Sequence, residues 1–195
     1  MLTEEATASA RQEELLELAY AYILEHGLTD LSLRPLAAEI GSSPRVLLYL
    51  FGNKEGLIRA LLAIARAEEL ALLERLRATS VDDANRIGII AGELWSWLSA
   101  AEHRGLLVLW VEGYARSLAA ADGPWAGFAR ATVNDWLTLL ADAQPAAERV
   151  TSHAENQRTL ILGMLRGALM DLLATGDLER TTAAVNAQLT HLHVA

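Results

Sequence analysis

The sequence predicts an all-α protein of about nine helices, and three observations carry that expectation. Ala and Leu, both strong helix formers, dominate a chain that is 52% hydrophobic. Only four prolines interrupt its 195 residues. Apolar residues recur at helical spacing along most of it, and β-branched runs are short. The length suffices for a real core, in one unit or two small domains.

Each helix has its own local signals. Residues 1–9 are polar and acidic and are expected to form a loose tail. From Arg11 to His26, the positions Leu15, Leu16, Leu18, Ala19, Tyr22 and Ile23 mark a first helix. His26-Gly27 ends it, since Gly is the usual residue past a helix C-terminus. Ser32 is a candidate cap for a second helix that runs to about Ile40, with Pro35 tolerated in its first turn. Gly41 breaks that helix. Ser43 as cap and Pro44 at the first helical position open a third, ending near Leu50. Asn53 caps a fourth, from Lys54 to about Ala78. Thr79-Ser80-Val81-Asp82-Asp83 is a further capping sequence, followed by a helix to about Ala100. Another runs from about His103 to Ala120. Asp122-Gly123-Pro124 is a turn, and a helix runs from Trp125 to about Ala143. Beyond a joint near Pro145, a long helix ends at Ala174-Thr175-Gly176, and a last one spans about Leu178 to His193.

The tight turn from Gly41 to Ser43, between two short helices, is the arrangement of a helix-turn-helix, whose second helix enters the major groove of DNA. The chain divides on this reading into residues 1–53, a helix-turn-helix DNA-binding domain, and residues 54–195. Net charge is −9, which argues against binding nucleic acid with the whole surface. The distribution favours one face: residues 31–59 hold four bases (Arg34, Arg45, Lys54, Arg59) and two acids, whereas residues 1–30 hold one base and seven acids. Arg45, near the start of the third helix, can read guanine O6 and N7 or clamp a phosphate. Tyr49, four residues on, shares its face and can meet sugar and phosphate. Lys54, the sole lysine, sits at a helix N-terminus suited to phosphate. Arg34, Ser42, Ser43 and Pro44 complete the candidate DNA face. Capping alone also explains Ser43. Leu47, Leu50 and Phe51 are expected to be core.

Other chemistries find little support. The chain has no cysteine, hence no disulfide or thiolate site. The histidines are scattered, with no HExxH pattern and no Gly-rich phosphate loop, so no catalytic residue, metal or cofactor is assigned. An all-helical enzyme and a helical adaptor that binds only protein are the competing classes. The apolar stretch from Thr159 to Ala174 is broken by Arg166 and Asp171 and is shorter than the roughly 20 residues of a membrane helix. The N-terminus lacks the basic start and apolar run of a signal peptide. A soluble, cytoplasmic protein without a membrane partner is expected.

The segment from about Leu15 to Leu62 resembles the N-terminal domain of TetR-family transcriptional regulators. The matching residues are His26-Gly27, then Leu33-Arg34-Pro35-Leu36-Ala37-Ala38-Glu39-Ile40-Gly41, Ser43-Pro44-Arg45, Tyr49-Leu50-Phe51 and Asn53-Lys54-Glu55-Gly56-Leu57. They cover about a quarter of the chain, in order and at the right spacing. Two positions depart from the family pattern: Leu48 stands where an aromatic residue is frequent, and Leu50 where His is common. Both losses concentrate the backbone contacts on Tyr49 and Lys54.

The resemblance implies a homodimeric repressor on a palindromic operator of double-stranded DNA, released by a small, largely apolar effector. It implies that a long helix joins the DNA-binding domain to an α-helical effector-binding and dimerisation domain. The aromatic residues Trp95, Trp97, Trp110, Tyr114, Phe128 and Trp136, with His103 and Met164, are then candidates for the effector pocket. Ordinary core packing is the alternative for each. Trp95 and Trp97 lie two apart, on roughly opposite sides of their helix, so at most one faces a given cavity. Trp125, Phe128 and Trp136 fall on one side of a continuous helix. His103, Glu112, Asn134 and Asp135 are the polar groups available to select a ligand. Leu160, Met164, Gly167, Ala168, Ala183, Ala187 and Leu189 on the last two helices are the candidates for the dimer interface.

Overall fold

The computed structural model describes residues 2–28, 31–78, 86–120 and 122–192. Among these it has nine α-helices, one 3-10 turn and no strand. The helices are α1 (Leu2–His26), α2 (Leu33–Glu39), α3 (Pro44–Phe51), α4 (Lys54–Ala78), α5 (Arg86–Leu98), α6 (Arg104–Ala119), α7 (Phe128–Asp142), α8 (Ser152–Thr175) and α9 (Leu178–Leu192), with the 3-10 turn at Ala101–His103 before α6. The expected capping sequence from Thr79 to Asp83 and the terminal His193 lie outside the described residues.

Three expectations are corrected. The residues read as a loose tail are helical from Leu2 onward. Alanine, frequent in this stretch, carries high helix propensity. Ser32 occupies the N-cap of α2 in extended geometry but makes no side-chain cap bond. Pro35, the third helical residue, lacks one of the two N–H groups a capping serine reaches for. The helix expected from Trp125 begins only at Phe128. Gly127 has φ of +74°, a conformation that ends regular helix on its N-terminal side, so Trp125 sits in a turn and not on a shared helical face.

The chain forms two compact units. The first comprises residues 1–68 and 105–129, the second residues 69–104 and 130–195. In the first, α2 packs on α1 and α3. Its core includes Leu15, Ala19, Ile23, Leu36, Leu47, Leu57 and Leu61, all essentially inaccessible to solvent. Polar bonds tie its elements together. Tyr20 on α1 donates to Glu68 Oε2 on α4 at 2.8 Å, and burial, reinforced by that bond, pushes the Tyr20 hydroxyl above its ordinary pKa. The Leu28 N–H, just past α1, donates to Glu112 Oε2 on α6 at 3.1 Å. Arg116 pairs with the same carboxylate at 3.2 Å and lies over the Trp125 ring at 5.7 Å.

In the second unit α5, α8 and α9 pack on one another. α5 buries Ile87, Ile90, Ala91, Leu94, Trp95 and Leu98, the spacing of a single amphipathic stripe. α9 turns Thr181, Val185 and Leu189 inward at four-residue intervals. The α7–α8 connection is pinned by Gln144, a buried side chain. Its Nε2 donates to the Ala154 carbonyl at 3.0 Å and to Gln157 at 2.9 Å, while its Oε1 accepts from Arg158 at 3.1 Å. Arg149 donates to the Gln144 and Asp142 carbonyls at 2.9 and 3.1 Å. A buried amide that satisfies three partners holds the loop where no apolar side chain could. Gln144→Ala leaves those partners short of a bond and is expected to lower stability by about 1–3 kcal/mol, read as a drop in the thermal midpoint with unchanged helicity.

Candidate nucleic-acid interface

Local chemistry at both ends builds α3. Ser43 is its N-cap, with φ −134° and ψ 152°, and its Oγ accepts from the Val46 N–H at 3.3 Å. Pro44 follows at the first helical position, where its missing N–H costs nothing. At the far end the chain turns through Gly52, and Asn53 Oδ1 accepts from the Gly56 N–H at 2.7 Å to start α4. Gly56 is required there by space: a Cβ would fall onto the Phe51 carbonyl oxygen. The Leu50 carbonyl, in the last turn of α3, accepts from Gln12 of α1 at 3.2 Å.

This frame decides which way α3 faces. Leu47 is buried, while Leu50 and Phe51 are half-buried rather than fully enclosed. Arg45 and Tyr49 point outward, and Tyr49 is 84% exposed. Tyr49 is therefore no part of the core. Arg34 on α2 and Lys54 at the start of α4 are also exposed, with Ser42, Ser43 and Pro44 half-buried at the turn. Among the described residues no protein group bonds to the side chains of Arg34, Arg45, Tyr49 or Lys54. The face therefore offers three unneutralised cations and a phenol beside a helix N-terminus, inside a protein whose net charge is −9.

The residues read as pocket candidates are dispersed. Trp97 and His103 come together in the second unit, stacked with ring centroids 4.0 Å apart, and His103 Nδ1 donates to the Trp97 carbonyl at 2.8 Å. Both line a cleft of about 400 Å³ with Leu72, Leu76, Glu93 and Glu102. Trp95 lies elsewhere on α5, buried, with Nε1 donating to Thr182 of α9 at 3.0 Å. Trp136 is buried and donates to the fully buried Glu69 at 2.6 Å. Trp110 is buried and Tyr114 half-buried on α6, in the first unit, where Phe128 and Trp125 lie against Gly113. Glu112 holds the Leu28 amide and Arg116; Asn134 is exposed and Asp135 half-buried. Sequence spacing carried no signal for the Glu69–Trp136 pair, because the partners are 67 residues apart.

Met164 sits on α8, in a groove of about 610 Å³ between α8 and α9. Leu160, Gly167 and Ala168 line the same groove, with Gly163, Ala184 and Gln188. Ala183 and Ala187 are exposed on α9, whereas Leu189 is buried and faces Gly92 of α5. Asp171, at the groove edge, forms a two-pronged pair with Arg180 at 2.7 Å through each oxygen. The hydrogen bonds from Arg180 hold its carboxyl below the ordinary carboxylate range.

A capped, outward-facing α3 after a tight turn gives α2 and α3 the arrangement of a helix-turn-helix. Residues 15–61 match the family of bacterial regulatory proteins, tetR family, so this segment carries the TetR-family signature. The whole chain has the fold of TetR-family regulators. A TetR transcription regulator from Haloarcula marismortui superposes with a TM-score of 0.75 at 20% identity, over 94% of this chain and 96% of that one. A transcriptional regulator from Rhodococcus sp. Rha1 gives 0.73 at 20% identity, over 92% and 94%. The multidrug binding protein EbrR, complexed with imidazole, gives 0.58 at 22% identity, over 92% and 89%. Among curated proteins none matches in sequence. Among the described residues no helix is long and apolar enough to cross a membrane, and no group of acids and histidines could hold a metal ion.

Gly56→Ala should overpack the α3–α4 corner against backbone. The expected result is a stability loss of about 1–3 kcal/mol, measured by chemical denaturation, with protease cleavage appearing first between Phe51 and Leu57.

Proposed function

We propose that the chain is a homodimeric transcriptional repressor whose α3 reads a palindromic operator and which a small, largely apolar effector releases. Residues 1–53 serve as the DNA-binding domain and residues 54–195 as the effector-binding and dimerisation domain. The observation that carries the reading is α3: capped at both ends, buried through Leu47, and presenting Arg45 and Tyr49 free to solvent. Arg45 reads the base edge, and Tyr49, Lys54 and Arg34 hold phosphates. Few phosphate contacts inside an acidic protein make affinity fall steeply with salt. The protein acts in the cytoplasm, where its operator is.

Dimerisation through α8 and α9 is supported by two glycines. A Cβ at Gly163 or Gly167 would meet nothing within 4 Å in the protomer, and glycine inside a helix costs roughly 1 kcal/mol relative to alanine. Among the described residues nothing accounts for that cost, whereas close approach of a second copy does. Leu160, 69% exposed beside them, is the apolar anchor of the same face, and a two-fold dimer supplies the two half-sites a single short helix cannot read alone. The effector acts by binding unequally to the operator-competent and operator-incompetent forms. α4, one helix from Lys54 to Ala78, is the lever, and the Trp97–His103 cleft is a place for its ligand. EbrR, a multidrug binding protein complexed with imidazole, favours a ligand-binding role here as well.

Binding-site selection from random duplex DNA, with wild type and Arg45→Ala in parallel, tests the proposal. A palindromic site should be recovered by the wild type and lost in the variant, and Lys54→Gln should weaken binding to all sequences alike while flattening the salt dependence by about one phosphate contact. No enrichment at low salt would discard DNA binding in favour of a protein-binding adaptor. Gly167→Glu should leave the helical content and thermal midpoint of the protomer intact and shift the species seen by light scattering from dimer to monomer.

A further inference from the structure

The polar groups of α3 are few. Of its eight residues, PRVLLYLF, only Arg45 and Tyr49 carry a polar side chain. The exposed surface of the helix is wider than those two. Val46 is 38% exposed and Leu48 41%, while Leu47 between them is 1% exposed. At 100° per residue Leu48 lies about 60° from Arg45 on one side, and Val46 about 60° from Tyr49 on the other. Branched aliphatic side chains therefore flank both polar groups on the face that carries the reading helix, beside the exposed cations Arg34 and Lys54.

Resting on the reading of α3 as the major-groove helix, we propose that Leu48, with Val46 in support, selects thymine in each half-site by packing on its 5-methyl group. The chemistry of the groove points there. Thymine alone among the four bases presents an apolar group in the major groove, whereas guanine, adenine and cytosine present only donors and acceptors. A leucine pressed against those groups strips water from them and returns no hydrogen bond. Against a methyl group the same leucine buries apolar surface on both sides. Leu48 and Arg45 are three residues apart, so about 4.5 Å separates them along the helix axis, against about 3.4 Å per base-pair step. The selected thymine thus lies one or two steps from the guanine that Arg45 reads. The position where the family frequently has an aromatic residue is on this reading a base contact in its own right.

The test replaces the methyl group and nothing else. Starting from the selected palindrome, each thymine is exchanged in turn for deoxyuridine, and dissociation constants are measured by fluorescence anisotropy for wild type, Leu48→Ala and Val46→Ala. Both variants truncate exposed side chains, and circular dichroism checks that the helix remains. One position next to the guanine is expected to weaken wild-type binding about fourfold when its methyl is removed, the worth of one buried carbon. Leu48→Ala should bind thymine and deoxyuridine at that position equally while still requiring the guanine. Wild-type affinity unchanged by every deoxyuridine exchange overturns the proposal, as does a methyl dependence that survives in both variants. Failure of the selection to return any site removes the DNA-binding reading itself, a result distinct from a selected site that ignores the methyl.

Discussion

An eight-residue helix does not hold itself together in water, and what α3 can do depends on how it is held. Nucleating a helix costs more than two turns of hydrogen bonds return, so the stabilisation comes from outside. Ser43 and Pro44 fix the entry, the Asn53–Gly56 corner fixes the exit, and Leu47 anchors the middle in the core. With three points set, the rotation of the helix about its axis is set as well. Arg45 and Tyr49 then face solvent because no freedom remains to turn them elsewhere. Moving any one anchor would turn the face away, which explains why the motif extends on both sides of the helix it serves.

Charge follows the same economy. An acidic chain is kept from non-specific association with nucleic acid by its own net charge, and the stretch around α2, α3 and the start of α4 departs from that charge, with four bases against two acids over residues 31–59. On the proposed function, affinity on such a surface is made from few contacts, and discrimination from the shape and polarity of α3. The exposed Val46 and Leu48 matter for that proposal, since a helix with only two polar side chains has little else with which to distinguish bases.

The C-terminal helices use their residues differently. The aromatic residues that look alike in sequence have separate occupations: Trp97 stacks on His103, Trp95 bonds Thr182, Trp136 bonds the buried Glu69, and Trp125 covers Gly113 from a turn. The two outer glycines of α8 are the reverse case: a Cβ at Gly163 or Gly167 would meet no atom within 4 Å among the described residues. Asp171, which interrupts the apolar run of α8, is matched by Arg180 across the α8–α9 turn, so the interruption carries a structural bond at the rim of the groove.

The sequence by itself determined most of the helices and the caps that bound α3. Caps, turns and helical stripes are chemistry between residues at most a few positions apart, and so Ser43, Pro44, Asn53 and the Arg45–Tyr49 pair could be read directly. The same locality explains the errors, since a single glycine at position 127 outweighed the apolar spacing from Trp125, and helix-forming residues after Met1 outweighed their polarity. Only the tertiary structure decided which aromatic side chains share a space, that Leu189 turns inward, and that Glu69 is buried on Trp136. Partners such as Trp95 and Thr182, 87 residues apart, meet because helices pack along whole faces. The face a side chain finds opposite it is set by the summed burial of many residues and by no pattern around either partner.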